Sequence, residues 1–122
     1  MWFRRDLRLT DHAALSAAAQ TGRPVIPVYI HDDAVAGLAA APKWRLGLGI
    51  GAFDDALHEK SSRLILRKGA ALEVLQELIK ETGAGAVYWS RLYDPNSTAR
   101  DADIKEALKE AGIGARSFGG HL

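Results

Sequence analysis

The sequence predicts a single α/β domain built on a doubly wound, five-stranded parallel sheet of strand order 3-2-1-4-5, with helices on both faces. Short runs rich in β-branched and aromatic residues alternate with segments of helical period, the pattern of a parallel sheet covered on both sides. The chain has 122 residues, 48% of them apolar, enough for one buried core and too few for two domains. Right-handed crossovers restrict the possible orders, and 3-2-1-4-5 is the commonest Rossmann-like solution for five strands of this kind.

The first strand is predicted from Met1 to about Arg4. A helix follows that Asp11 would cap and Gly22 would end, with Ala14, Leu15, Ala18 and Ala19 facing inward. The second strand, Val25 to Ile30, contains Pro27. Proline has no N–H for a central ladder, so the strand is expected to be irregular or to carry its proline near an end. Leu46, Ile50, Phe53 and Leu57 recur at helical spacing between Lys43 and Lys60. Three glycines in that helix cost about 1 kcal/mol each relative to alanine, and close packing on the sheet is the expected reason for them.

Arg63 to Lys68 is predicted as the third strand, stopped by Gly69, with the next helix marked by Leu72, Leu75, Leu78 and Ile79. Ala86 to Ser90 is the fourth strand. Residues 96–99 lead into a last helix with Ile104, Ala107, Leu108 and Ala111 on one face and Gly112 as its stop, and Ala115 to Phe118 forms a short fifth strand. Asp32 to Pro42 carries no assignable pattern.

Composition excludes several classes of function. Sixteen Lys and Arg balance fifteen Asp and Glu, for a net charge of +1, so there is no basic footprint of an autonomous nucleic-acid binder. The absence of cysteine rules out structural disulfides and thiolate metal sites and agrees with a reducing cytoplasm. No apolar run is long enough for a membrane span, and the charged start does not read as a signal peptide, so a soluble cytoplasmic domain is expected.

In an open sheet of this order a ligand sits beyond the carboxyl ends of the strands, where the order reverses between strands 1 and 4. The loops meeting there are Arg5-Asp6-Leu7-Arg8 and Arg91 to Ser97, with His31-Asp32-Asp33 after strand 2 nearby. Arg4, Arg5, Arg8 and Asp6 suit an anion, but a cluster of this size is more often a structural ion-pair network. Three adjacent side chains such as His31-Asp32-Asp33 rarely converge on a metal, and a solvated turn is the commoner outcome. Trp2 and Trp89 are packing residues, whereas Trp44 lies outside the strands and is free to line a pocket. His12, His58 and His121 show no partner pattern. Gly47-Leu48-Gly49-Ile50-Gly51-Ala52 matches a loose dinucleotide pattern but lacks the strand-to-helix context its mechanism requires. No catalytic constellation and no metal site emerge.

The opening Trp2-Phe3-Arg4-Arg5-Asp6-Leu7-Arg8-Leu9-Thr10-Asp11-His12-Ala13-Ala14-Leu15 resembles the start of the photolyase/cryptochrome family, whose members carry a WFRRDLRLxDNxAL-type motif. The resemblance continues through residues 24–30, 62–69 and 88–95, Arg100-Asp101 and residues 117–122, covers essentially all of 1–122, and looks most like a bacterial photolyase of cyclobutane dimers. It implies an amino-terminal α/β domain that often binds an antenna chromophore, followed in the intact protein by a helical domain that binds FAD and damaged DNA. Repair by light-driven electron transfer would then be a property of the longer protein, and this chain alone would be inactive. A cryptochrome photoreceptor carries the same domain.

By the same resemblance the antenna-binding positions are Arg5, Asp6, Leu7, Ile30, His31, Trp44, Arg45, Arg91, Asp94, Asn96 and Ser97. Folate-using relatives place an Asn-Glu pair where this chain has Asn96 and Ser97; the asparagine can still read an amide edge, but the serine supplies no carboxylate. Deazaflavin-using relatives often have Asp where this chain has Leu92. The segments Arg91 to Pro95 and Pro42 to Arg45 look more like the folate-using branch, which favours methenyltetrahydrofolate over a deazaflavin or a second flavin. Relatives usually carry several apolar residues before the Trp-Phe pair and this chain has only Met1, so the central strand is expected to be short and the sheet to lose burial.

Overall fold

A computed structural model describes residues 1–4, 6–9, 12–32 and 40–119. Five parallel strands, β1 (Trp2–Phe3), β2 (Val28–His31), β3 (Ile65–Lys68), β4 (Ala86–Ser90) and β5 (Gly114–Phe118), lie in the order β3-β2-β1-β4-β5. The helices are α1 (Ala13–Gln20), α2 (Ala40–Glu59), α3 (Ala71–Thr82) and α4 (Pro95–Glu110). Fold class and strand order are those the sequence predicts.

Side chains alternate across the sheet as its pleat requires. Trp2, Val28, Ile30, Val87 and Trp89 point to one face, where they pack with Ala71, Val74, Leu75 and Leu78 of α3 and Ile104 and Leu108 of α4. Phe3 and Tyr29 point to the other, against Phe53 and Leu57 of α2, with Leu15 of α1 and Met1 packed on the same cluster. Each face is thus covered by two helices.

Several boundaries differ from expectation for local reasons. β2 begins only after Pro27, whose carbonyl still accepts from Ile65 N at 2.9 Å, so the proline sits at the strand's entrance. β1 is two residues long and meets β4 through a single register pair, Trp2 with Trp89. The cap of α1 is His12, while Asp11, the expected cap, lies outside the described residues. α2 starts at Ala40, inside the stretch without a sequence pattern. α4 starts at Pro95, because proline's fixed φ suits the first helical turn and Asp94 accepts from Ser97 N at 3.0 Å.

The glycines of α2 need a correction. A Cβ built on Gly47, Gly49 or Gly51 would meet nothing within 4 Å, so close approach to the sheet does not explain them. Gly47 and Gly51 share the exposed side of α2 with Trp44 and Leu48, which are 67% and 57% exposed.

Candidate functional site

The order reversal lies between β1 and β4, and the loops leaving those two strands carry the polar residues of the domain. Arg4, at the end of β1, is 8% exposed. Its guanidinium reaches Asp101 Oδ1 of α4 at 2.9 Å, donates to the Ser90 carbonyl, and lies 4.6 Å over the Trp2 ring. A buried cation is tolerable only with such partners. α4 presents them because Ser97, Asp101, Ile104 and Leu108 recur at helical spacing on its buried side, polar toward the strand ends and apolar farther along.

Asp6 turns back on the same strand. Its Oδ1 accepts from Arg4 N at 2.8 Å, and its Oδ2 lies 2.6 Å from His12 Nε2. His12 Nδ1 accepts from Leu15 N at 3.1 Å, so the ring proton is on Nε2, the nitrogen that faces the carboxylate. Burial pushes the pKa of Asp6 up, but hydrogen bonding from His12, the Arg4 amide and Ser90 outweighs it and brings the pKa down to about 2. A second bridge joins Arg100 of α4 to Asp32 beyond β2 at 2.9 Å.

These contacts sort the expected site residues. Asp6 is committed to the fold, Ile30 to the core at 3% exposure, and Ser97 to the buried side of α4. Leu7 packs against the α1/α2 core cluster, and His31 pairs in register with Lys68 at the end of β2. Asp94 caps α4 while its residue remains exposed; Arg91 and Asn96 are exposed on the same loop and first turn. Trp44 and Arg45 are exposed on α2. Arg5 and Asp33 lie outside the described residues. The structural reading of Arg4 and Asp6 holds, and no group of three metal-ligating side chains occurs among the described residues.

Sequence reasoning missed His12, Arg100 and Asp101 as members of this network. The four-residue spacing of Ser97 and Asp101 ahead of Ile104 and Leu108 was a usable sign for Asp101. Nothing in the sequence paired His12 with Asp6, since that contact depends on how the chain turns after β1.

Residues 1–122 match the family model described as DNA photolyase. The deoxyribodipyrimidine photo-lyase of Agrobacterium fabrum is 44% identical over 122 residues, covering 100% of this chain and 26% of that protein. Cryptochrome-1 of Arabidopsis thaliana is 34% identical over 126 residues, covering 100% and 18%. Among solved structures, a bacterial class III photolyase from Agrobacterium tumefaciens superposes with a TM-score of 0.94 at 45% identity, covering 99% of this chain and 25% of that one. An archaeal photolyase from Sulfolobus tokodaii, described with two FAD molecules and a novel light-harvesting cofactor, superposes at 0.85 with 31% identity, covering 99% and 29%. The chain therefore spans about a quarter of the length of these relatives. No helix among the described residues is long and apolar enough to cross a membrane.

Proposed function

Because this chain belongs to the DNA photolyase family, we propose that it is the antenna-binding α/β domain of a deoxyribodipyrimidine photolyase, which repairs cyclobutane pyrimidine dimers in DNA under light. The observation that carries this reading is the match over the whole chain to a bacterial photolyase, in sequence at 44% and in structure at a TM-score of 0.94. The lower identity to a plant cryptochrome, 34%, favours repair over a photoreceptor role.

In the intact protein this domain packs on a carboxy-terminal domain that holds FAD and contacts the damaged DNA. When bound, FAD supplies the electron that opens the dimer and the antenna supplies excitation energy. This chain's residues bind and orient the antenna. The exposed donor set suits a flat, amide-bearing, anionic chromophore: Asn96 offers both a carbonyl and an amino group, Arg45 and Arg91 offer guanidinium forks for carboxylates, and Trp44 offers an indole face. Methenyltetrahydrofolate has those features, and a deazaflavin or flavin shares some of them. Asp6, Ile30 and Ser97 are bonded or buried within the domain and act through its fold rather than by touching the ligand.

The test is a fluorescence and absorbance titration of the chain, and of the longer photolyase, with methenyltetrahydrofolate, a deazaflavin and FMN. Saturable binding of the folate, weakened by Asn96→Ala and by Trp44→Ala, is the expected result. Binding of none of the three by the longer protein would overturn the antenna assignment.

A further inference from the structure

β3 forms one edge of the sheet, and among the described residues no strand pairs with its outer side. Ile65 N donates to the Pro27 carbonyl at 2.9 Å and Gly69 N to the His31 carbonyl at 3.1 Å, so the main chain of the odd-numbered residues faces β2. By alternation the N–H and C=O groups of Leu66 and Lys68 point outward, away from the sheet. Nearer the start of the strand the edge is closed, because Leu64 N donates to Asp54 Oδ1 of α2 at 2.8 Å. The open part of the edge therefore runs from Leu66 to Lys68.

Burial and charge both mark this stretch. Leu64 is buried against Phe53 and Leu57, whereas Leu66, two residues on and on the same face of the sheet, is 59% exposed. Residues 60–72 contain four basic side chains, Lys60, Arg63, Arg67 and Lys68, and no acidic one, in a chain whose net charge is +1. Lys60, Arg63 and Lys68 are exposed, while Arg67 is held by Glu81 of α3 at 3.3 Å. Charged side chains commonly guard a sheet edge, but here they carry one sign. They repel the same edge of a second copy and attract an acidic strand. β5, the opposite edge, carries Arg116 and no acid, so it is no better a partner.

We propose that the outer edge of β3 is a docking site for an extended, acidic segment of a partner protein, which adds a further strand beside Leu66 and Lys68. Main-chain hydrogen bonds supply the affinity and the alternating side chains the selectivity. In an antiparallel ladder, the stronger of the two kinds, an apolar side chain lies opposite Leu66 and covers it, and carboxylates lie opposite Lys68 and Arg67. The peptide residues opposite Leu66 and Lys68 turn their own N–H groups to β3; the residue between them turns its N–H away. This site is independent of the antenna reading.

The probe is the peptide acetyl-Glu-Glu-Val-Thr-amide, titrated into isotopically labelled chain and followed by the amide resonances of the protein. Its valine is designed to lie opposite Leu66 and its glutamates opposite Lys68 and Arg67. Saturable shifts centred on Leu66 and Lys68 are expected, with weaker binding at high salt. N-methylation of the valine should reduce the affinity about tenfold, whereas N-methylation of the second glutamate should change it by less than about twofold. These two arms leave the protein unaltered. Lys68→Glu should weaken binding about tenfold, and Leu66→Lys, which keeps the basic sign and removes the apolar contact, by a similar factor; resonances elsewhere in the sheet report that both variants are folded. No shift at Leu66 and Lys68, the same shifts with acetyl-Lys-Lys-Val-Thr-amide, a loss from the methylated glutamate as large as that from the methylated valine, or shifts that grow with chain concentration without peptide would each overturn the proposal.

Discussion

His12 Nε2 lies 2.6 Å from Asp6 Oδ2 while the other ring nitrogen caps α1. One imidazole therefore ties the exit of β1 to the start of the helix that follows. His12→Ala should remove both contacts and leave Asp6 partly buried with fewer donors, costing about 2 kcal/mol. His12→Asn keeps an efficient helix cap and should cost about half as much. Thermal or urea denaturation of the two variants checks the order; equal losses would mean the Asp6 contact contributes nothing.

Acid should weaken the fold through the same carboxylate. The folded pKa of Asp6, about 2, lies below its ordinary 3.8, so the unfolded chain binds its proton at the higher pH. The stabilisation is complete above about pH 4 and is lost as the pH falls through 2, by about 2 kcal/mol in all. An Asp6→Asn variant should show a flatter loss of stability between pH 4 and pH 2 than the parent.

The Arg4–Asp101 bridge should be strongly asymmetric to mutation. Asp101→Ala leaves a guanidinium in a site where the residue is 8% exposed, for an expected cost of about 3 kcal/mol, whereas Arg4→Met removes the charge itself and should cost less in combination with Asp101→Ala than the two singles summed. A double-mutant cycle by urea denaturation measures this directly.

The open surroundings of Gly47, Gly49 and Gly51 make α2 a place to gain stability. Each change to alanine should add up to about 1 kcal/mol through helix propensity, and the triple variant should melt at a higher temperature. A lower melting temperature would show that the glycines answer to packing after all.

The sheet and its helices were legible because periodicity alone encodes them. Val25 to Ile30 and Ala86 to Ser90 read as strands, and Val28, Ile30, Val87 and Trp89 of those runs lie on one face of the sheet. Boundaries were less legible where the backbone, rather than burial, decides: Pro27 delays β2, and Pro95 with Asp94 advances α4. The polar network was the least legible part. Arg4 and Asp101 are 97 residues apart, and a pairing of that separation follows from topology, not from any local pattern. The glycines of α2 misled for the opposite reason, since a conspicuous local pattern had no packing consequence.

Neighbouring residues of α4 reach different strands with opposite charge: Arg100 holds Asp32 beyond β2, and Asp101 holds Arg4 at the end of β1. α4 connects β4 to β5, so these two bridges cross the midline of the sheet and brace its carboxyl edge. Breathing of the domain should then resemble a fan hinged at one side. Amide protons of Val28 and of residues 86–88 should exchange with solvent through opening at the amino edge well before those of Ile30 and Ser90, within the very same strands.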